Sequence, residues 1–130
     1  MNRKASTAAA IAMAAVSIFP AFAETSALDG RTFEGVFIER GKTSGDADTL
    51  SFRNGRFHSS ACDRYGYSDG AYRTSTAGDI TRFEAVTESA KYGRLVWNGA
   101  VHSGKLDATV MMVREGKGNI ENWVVAGEKN

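Results

Sequence analysis

The chain has 130 residues, one cysteine, and 16 basic against 15 acidic residues, for a formal net charge of +1. With no basic run, it lacks the clustered Lys and Arg whose counterion release drives nucleic-acid binding, and bulk charge favours neither an anionic membrane surface nor an acidic substrate. A lone cysteine excludes an internal disulfide.

The first residues read as an export signal. Asn2, Arg3 and Lys4 make a basic start, Ala8 to Phe19 an apolar run, Pro20 a break, and Ala21-Phe22-Ala23 the small-x-small pattern that a signal peptidase cleaves. The expected products are a signal peptide, residues 1–23, and a single domain, residues 24–130, that is periplasmic or secreted. The apolar run is too short to span a bilayer comfortably, so no membrane insertion is expected after cleavage.

From Glu24 to Gly30 the chain is polar. Arg31 to Arg40 is the first strand candidate, but Phe33, Val36, Phe37 and Ile38 occupy both phases, and a bulge near Gly35 would explain the mixture. Gly41 to Asp46 is a loop.

Asn54-Gly55 is a strong two-residue turn signal between alternating flanks. It pairs Arg53 with Arg56, Phe52 with Phe57, Ser51 with His58 and Leu50 with Ser59. Leu50, Phe52, Phe57, Ser59 and Ala61 then share a dry face, and the two opposed arginines mark the wet one. Cys62 to Gly70 is a turn-rich connection. A short strand around Ala71 to Ser75, a turn at Thr76 to Asp79 and a strand from Ile80 to Glu88 follow.

Arg94 to Val113 forms the longest hairpin, folded at Ser103-Gly104, with Leu95, Trp97, Gly99, Val101, Leu106, Ala108, Val110 and Met112 on one face. Burying its six large side chains at about 1.5–3 kcal/mol each makes an unpacked hairpin untenable. Gly116-Lys117-Gly118 turns into a last strand from Asn119 to Gly127. An even register there would set Trp123 opposite Val110, on the dry side. The count is eight short strands joined by short turns with no helical periodicity after the leader. That predicts an all-β fold, an eight-stranded antiparallel up-and-down β-barrel.

The order Leu50-Ser-Phe-Arg-Asn-Gly-Arg-Phe57, Cys62, Tyr65-Gly66, Tyr72, Phe83, Trp97-Asn-Gly99, Leu106 and Trp123-Val-Val-Ala-Gly127 resembles small secreted bacterial proteins with a lipocalin-like, or calycin, barrel. The resemblance is a spacing of aromatics and glycines over most of residues 48–127. It implies a barrel that binds a small ligand or a protein, and it transfers no catalytic residue. The chain departs from true lipocalins in having no Trp beside Gly30-Arg31-Thr32, in its shorter length and in lacking a terminal helix.

No catalytic, metal or cofactor motif stands out. His58 and Cys62 lie about 13 Å apart if both are on one strand, too far to share an ion. Gly45-Asp-Ala-Asp48 starts like a calcium loop but lacks its later ligands. Gly41-Lys-Thr-Ser44 lacks the glycine spacing of a phosphate loop. A buried thiol is the ordinary reading of Cys62.

Two functional readings remain. The first is a non-catalytic barrel holding a small apolar or aromatic ligand between Phe52, Phe57, Trp97 and Trp123; the same set could equally be a filled core. The alternative is a protein-binding module, or a hydrolase inhibitor meeting an envelope protein, acting through the 62–72 loop with Arg64, Tyr65, Tyr67 and Tyr72 as contacts.

Overall fold

The computed structural model describes residues 26–130, so the expected signal peptide lies outside the described residues. Eight strands follow in order: β1 (Thr32–Ile38), β2 (Asp46–Arg53), β3 (Arg56–Ser59), β4 (Gly70–Ala77), β5 (Ile80–Ser89), β6 (Gly93–His102), β7 (Lys105–Val113) and β8 (Ile120–Glu128). Each pairs antiparallel with the next, and β1 pairs with β8, closing the barrel. The architecture is all-β and up-and-down, compatible with a lipocalin-like fold.

Turn chemistry sets the registers. Asn54 and Gly55 have φ of 53° and 74°, and Ser103 and Gly104 have 51° and 74°, the left-handed pair that matches the twist of a two-residue hairpin. Accordingly Phe52 faces Phe57 and Arg53 faces Arg56, while Leu95, Trp97, Gly99 and Val101 face Met112, Val110, Ala108 and Leu106. Both hairpins stand as their sequences predict.

Three expectations are corrected. β1 runs through Gly35 without a bulge, in step with both β2 and β8. Val36 and Ile38 are half-buried because they lie outside, beside Val125 and Trp123 of β8. Gly35 serves close approach instead, since a Cβ there would stand 1.9 Å from the Val125 carbonyl oxygen. The last strand is shifted by one residue: Trp123 pairs with Thr109, so Trp123 is 40% exposed and Val124 takes the interior. Side chains alternate between faces along a strand, so one step exchanges the whole set. Finally, β3 stops at Ser59 and the chain enters a 3-10 helix, Ser60–Tyr65, which ends at Gly66 in the left-handed region.

The two barrel ends differ. At the end carrying the termini, Leu28 is fully buried as a plug, with its N–H donating to the Tyr72 hydroxyl. Arg31 binds Glu128 through two nitrogens at 2.7 and 2.8 Å, tying the start of the domain to the last strand. The opposite end, here called the loop end, carries the 3-10 helix and the β5–β6 and β7–β8 connections.

Candidate functional site

Phe52, Phe57 and Trp97 meet inside the barrel, as the hairpins require. Phe57 packs against Trp97 at 4.7 Å between ring centroids, and Phe52 against Phe57 at 5.2 Å, Tyr72 at 4.9 Å and Phe83 at 5.1 Å. These rings are at most 1% exposed. Most pairs are edge-to-face, the arrangement that aromatic quadrupoles favour in a close-packed core. Trp97 adds a buried hydrogen bond from its indole N–H to Thr87 Oγ1 at 3.0 Å. Three of the rings that sequence offered as pocket walls, Phe52, Phe57 and Trp97, are packed in one aromatic cluster. Trp123 stands apart on the outer wall, beside a cleft of about 390 Å³ that Val125, Arg82 and Ala100 also line.

The residues proposed for the 62–72 loop separate. Tyr72 points into the interior at the terminal end, 1% exposed, its hydroxyl donating to Asp29 Oδ1 at 2.6 Å. Tyr67 is 7% exposed, and its buried hydroxyl has no hydrogen-bond partner among the described residues. Neither reaches the surface: Tyr72 takes the inward phase of β4 with Gly70 and Thr74, and Tyr67 lies in the segment that plugs the gap left where β3 and β4 share only two paired positions. Tyr65 remains outside at 42% exposure, with the Arg64 guanidinium 5.3 Å from its ring centroid.

That segment is pinned from several sides. Asp48, which sequence offered only as part of a calcium-like loop, is buried and points inward. It accepts the Ser59 hydroxyl at 2.9 Å and the Ala61 N–H at 3.0 Å. Burial pushes its carboxyl above the ordinary value, and the Ala61 N–H offsets part of that. His58 faces a carboxylate with each ring nitrogen, Asp69 at 2.7 Å and Asp63 at 3.0 Å. Ser68 N–H donates to the Glu88 carbonyl, and the Ser89 hydroxyl donates to the Tyr65 carbonyl at 2.8 Å.

Cys62 is buried within this plug, its Sγ 3.4 Å from the Ser59 hydroxyl oxygen. Burial pushes its thiol up to about 11, the opposite of what a nucleophile needs. His58 is bound by Asp63 and Asp69, and among the described residues no hydrogen bond joins it to Cys62. Among the described residues, no group of three or more His, Cys, Asp or Glu side chains could hold a metal ion.

Sequence reasoning missed the other half of the exposed surface. Tyr92, in the β5–β6 turn, is 42% exposed and packs edge-to-face on Tyr65 at 5.7 Å. The Ser89 hydroxyl that holds Tyr65 also accepts the N–H groups of Lys91 and Tyr92, at 3.3 and 3.2 Å. One serine thus fixes both loops. The signal was present in Ser89-Ala-Lys-Tyr-Gly93, but only closure of the barrel brings that turn beside Tyr65.

No family model matches this sequence, and no curated protein or solved structure shows significant similarity to it.

Proposed function

We propose that the protein is an exported, non-catalytic binding module, of lipocalin-like kinship, that captures a protein partner at its loop end. The observation that carries this reading is the Tyr65–Tyr92 pair, two exposed rings in mutual contact on loops locked by one serine, with Arg64 and Lys91 cations over their faces. Tyr and Arg are the side chains that most often anchor protein interfaces, and loops already ordered lose little entropy on docking. Export follows from the leader, and binding without chemistry from the buried thiol and the carboxylate-bound histidine.

The test is photo-crosslinking. A benzoylphenylalanine placed at Tyr65 should trap a discrete envelope protein, and Tyr92→Ala should weaken the trapping at least tenfold while leaving the melting temperature nearly unchanged. Trapping no stronger than from the same probe at Arg82 on the outer wall rejects the loop end.

A second reading rests on Trp123. Its exposure beside a cleft on the outer wall gives a small aromatic or apolar ligand a place to stack outside the barrel. Such a ligand would quench Trp123 fluorescence and leave Trp97 unaffected.

A further inference from the structure

Beside the Tyr65–Tyr92 pair, the β5–β6 and β7–β8 connections border an open cleft of about 770 Å³ whose lining includes Met112 and Val113 at the end of β7. Four cations line it: Lys91 and Arg94 from one side, Arg114 and Lys117 from the other. Among the described residues none of the four makes a salt bridge, whereas Arg31 and Lys129 at the barrel seam are paired with Glu128 and Glu34. Arg114 is oriented by donating its Nε–H to the Gly118 carbonyl at 2.9 Å, and its terminal nitrogens have no partner among the described residues. Bulk composition conceals this cluster, because the four residues come from two short stretches, 91–94 and 114–117, that are distant in sequence, and only the barrel brings them to one opening.

Resting on the protein-capture reading, we propose that this cleft receives an acidic, extended segment of the partner, with an apolar side chain seated on Met112 and Val113 and carboxylates on either side. Met112 and Val113 in the lining offer contact to an apolar side chain, and the cations beside them ask for flanking anions. Two acids, Glu88 and Glu115, stand among the cations. They would repel a continuous phosphate backbone, while separated carboxylates can lie between them. Four cations would also supply only a modest counterion release to a nucleic acid. The volume is that of a ligand site, much larger than a single anion needs.

The probe is a fluorescein-labelled peptide, three glutamates, phenylalanine and three glutamates, followed by anisotropy against the full processed protein. Binding should weaken at least tenfold when Arg94 and Lys117 are both changed to Glu, weaken with added salt, and vanish for the peptide with Gln in place of every Glu. No binding of the glutamate peptide overturns the proposal. So does equal or tighter binding of an oligonucleotide of the same charge, or equal competition by inorganic phosphate. In the crosslinking experiment from Tyr65, Arg94→Glu/Lys117→Glu should lose the partner. If that variant still captures it while Tyr92→Ala does not, the acidic segment is wrong and the aromatic anchor stands. If a folded double variant, verified by circular dichroism, binds the glutamate peptide as well as the parent does, the cations are not the site.

Discussion

The Tyr72 hydroxyl, inside the barrel, donates to Asp29 Oδ1 at 2.6 Å while it accepts the Leu28 N–H at 3.2 Å. Asp29 in turn accepts the Gly55 N–H at 3.0 Å. One carboxylate therefore joins the N-terminal plug, strand β4 and the β2–β3 turn.

This arrangement makes stability depend on acid. The Tyr72 hydroxyl, and then the Gly55 N–H, hold the Asp29 carboxyl below its ordinary value. A carboxyl whose folded value is lowered contributes stability that is present above its unfolded value, about 3.9, and is lost as pH falls through the folded one. Glu128, lowered by its hydrogen bonds with Arg31, acts in the same direction. Chemical denaturation between pH 5.5 and 2.5 should show a steeper loss for the parent than for Asp29→Asn. Parallel curves would mean the link is not made in solution.

Gly99 lies opposite Phe83 on β5, and a Cβ there would come within 2.4 Å of the Phe83 ring and 2.8 Å of the Asp107 carbonyl oxygen. Gly99→Ala should destabilise by about 1–3 kcal/mol through overpacking. The double variant Gly99→Ala/Phe83→Leu should recover part of the Gly99→Ala penalty relative to Phe83→Leu alone, measured as a double-mutant cycle in urea.

Thr87 is 2% exposed and is the acceptor for the Trp97 indole N–H. Thr87→Val keeps the shape but orphans that donor in the core. The expected cost is about 1–3 kcal/mol, read from the denaturation midpoint. A neutral result would contradict a dry environment around Trp97.

With its thiol pushed up to about 11 and 5% of the residue exposed, Cys62 should resist a chromogenic disulfide reagent at pH 8 for as long as the fold holds. In denaturant, one thiol per chain should react promptly. Fast reaction of the native protein would mean the plug opens.

Much of the barrel was legible because its signals were local. Asn54-Gly55 and Ser103-Gly104 each fix a register within a few residues, and Phe52, Phe57 and Trp97 follow from alternation alone. Trp123 was misplaced because the β7–β8 connection is longer and carries no two-residue turn; a single step moved it outside. Asp48 was misread because β2 starts at Asp46, inside what sequence offered as a loop, so that Asp48 shares the inward phase of Leu50 and Phe52; Tyr67 was misread because its burial comes from the short β3 and the gap it leaves beside β4, which no periodicity reveals. The surface at the loop end depends on segments far apart in sequence, Tyr65 packing on Tyr92 and Arg94 sharing a cleft with Lys117, and closure of the barrel is what assembles it.

The central claim is that the interior is filled and that binding takes place on the outside. Trp123→Phe leaves Trp97 as the only tryptophan, so its emission reports the interior alone. A filled interior should give blue-shifted emission, little quenching by acrylamide, and no change on titration with 1-anilinonaphthalene-8-sulfonate or 1-aminoanthracene. Saturable quenching or energy transfer from Trp97 to either probe in the folded protein, with the probe displaced by a small apolar competitor, would place a ligand inside the barrel and contradict it.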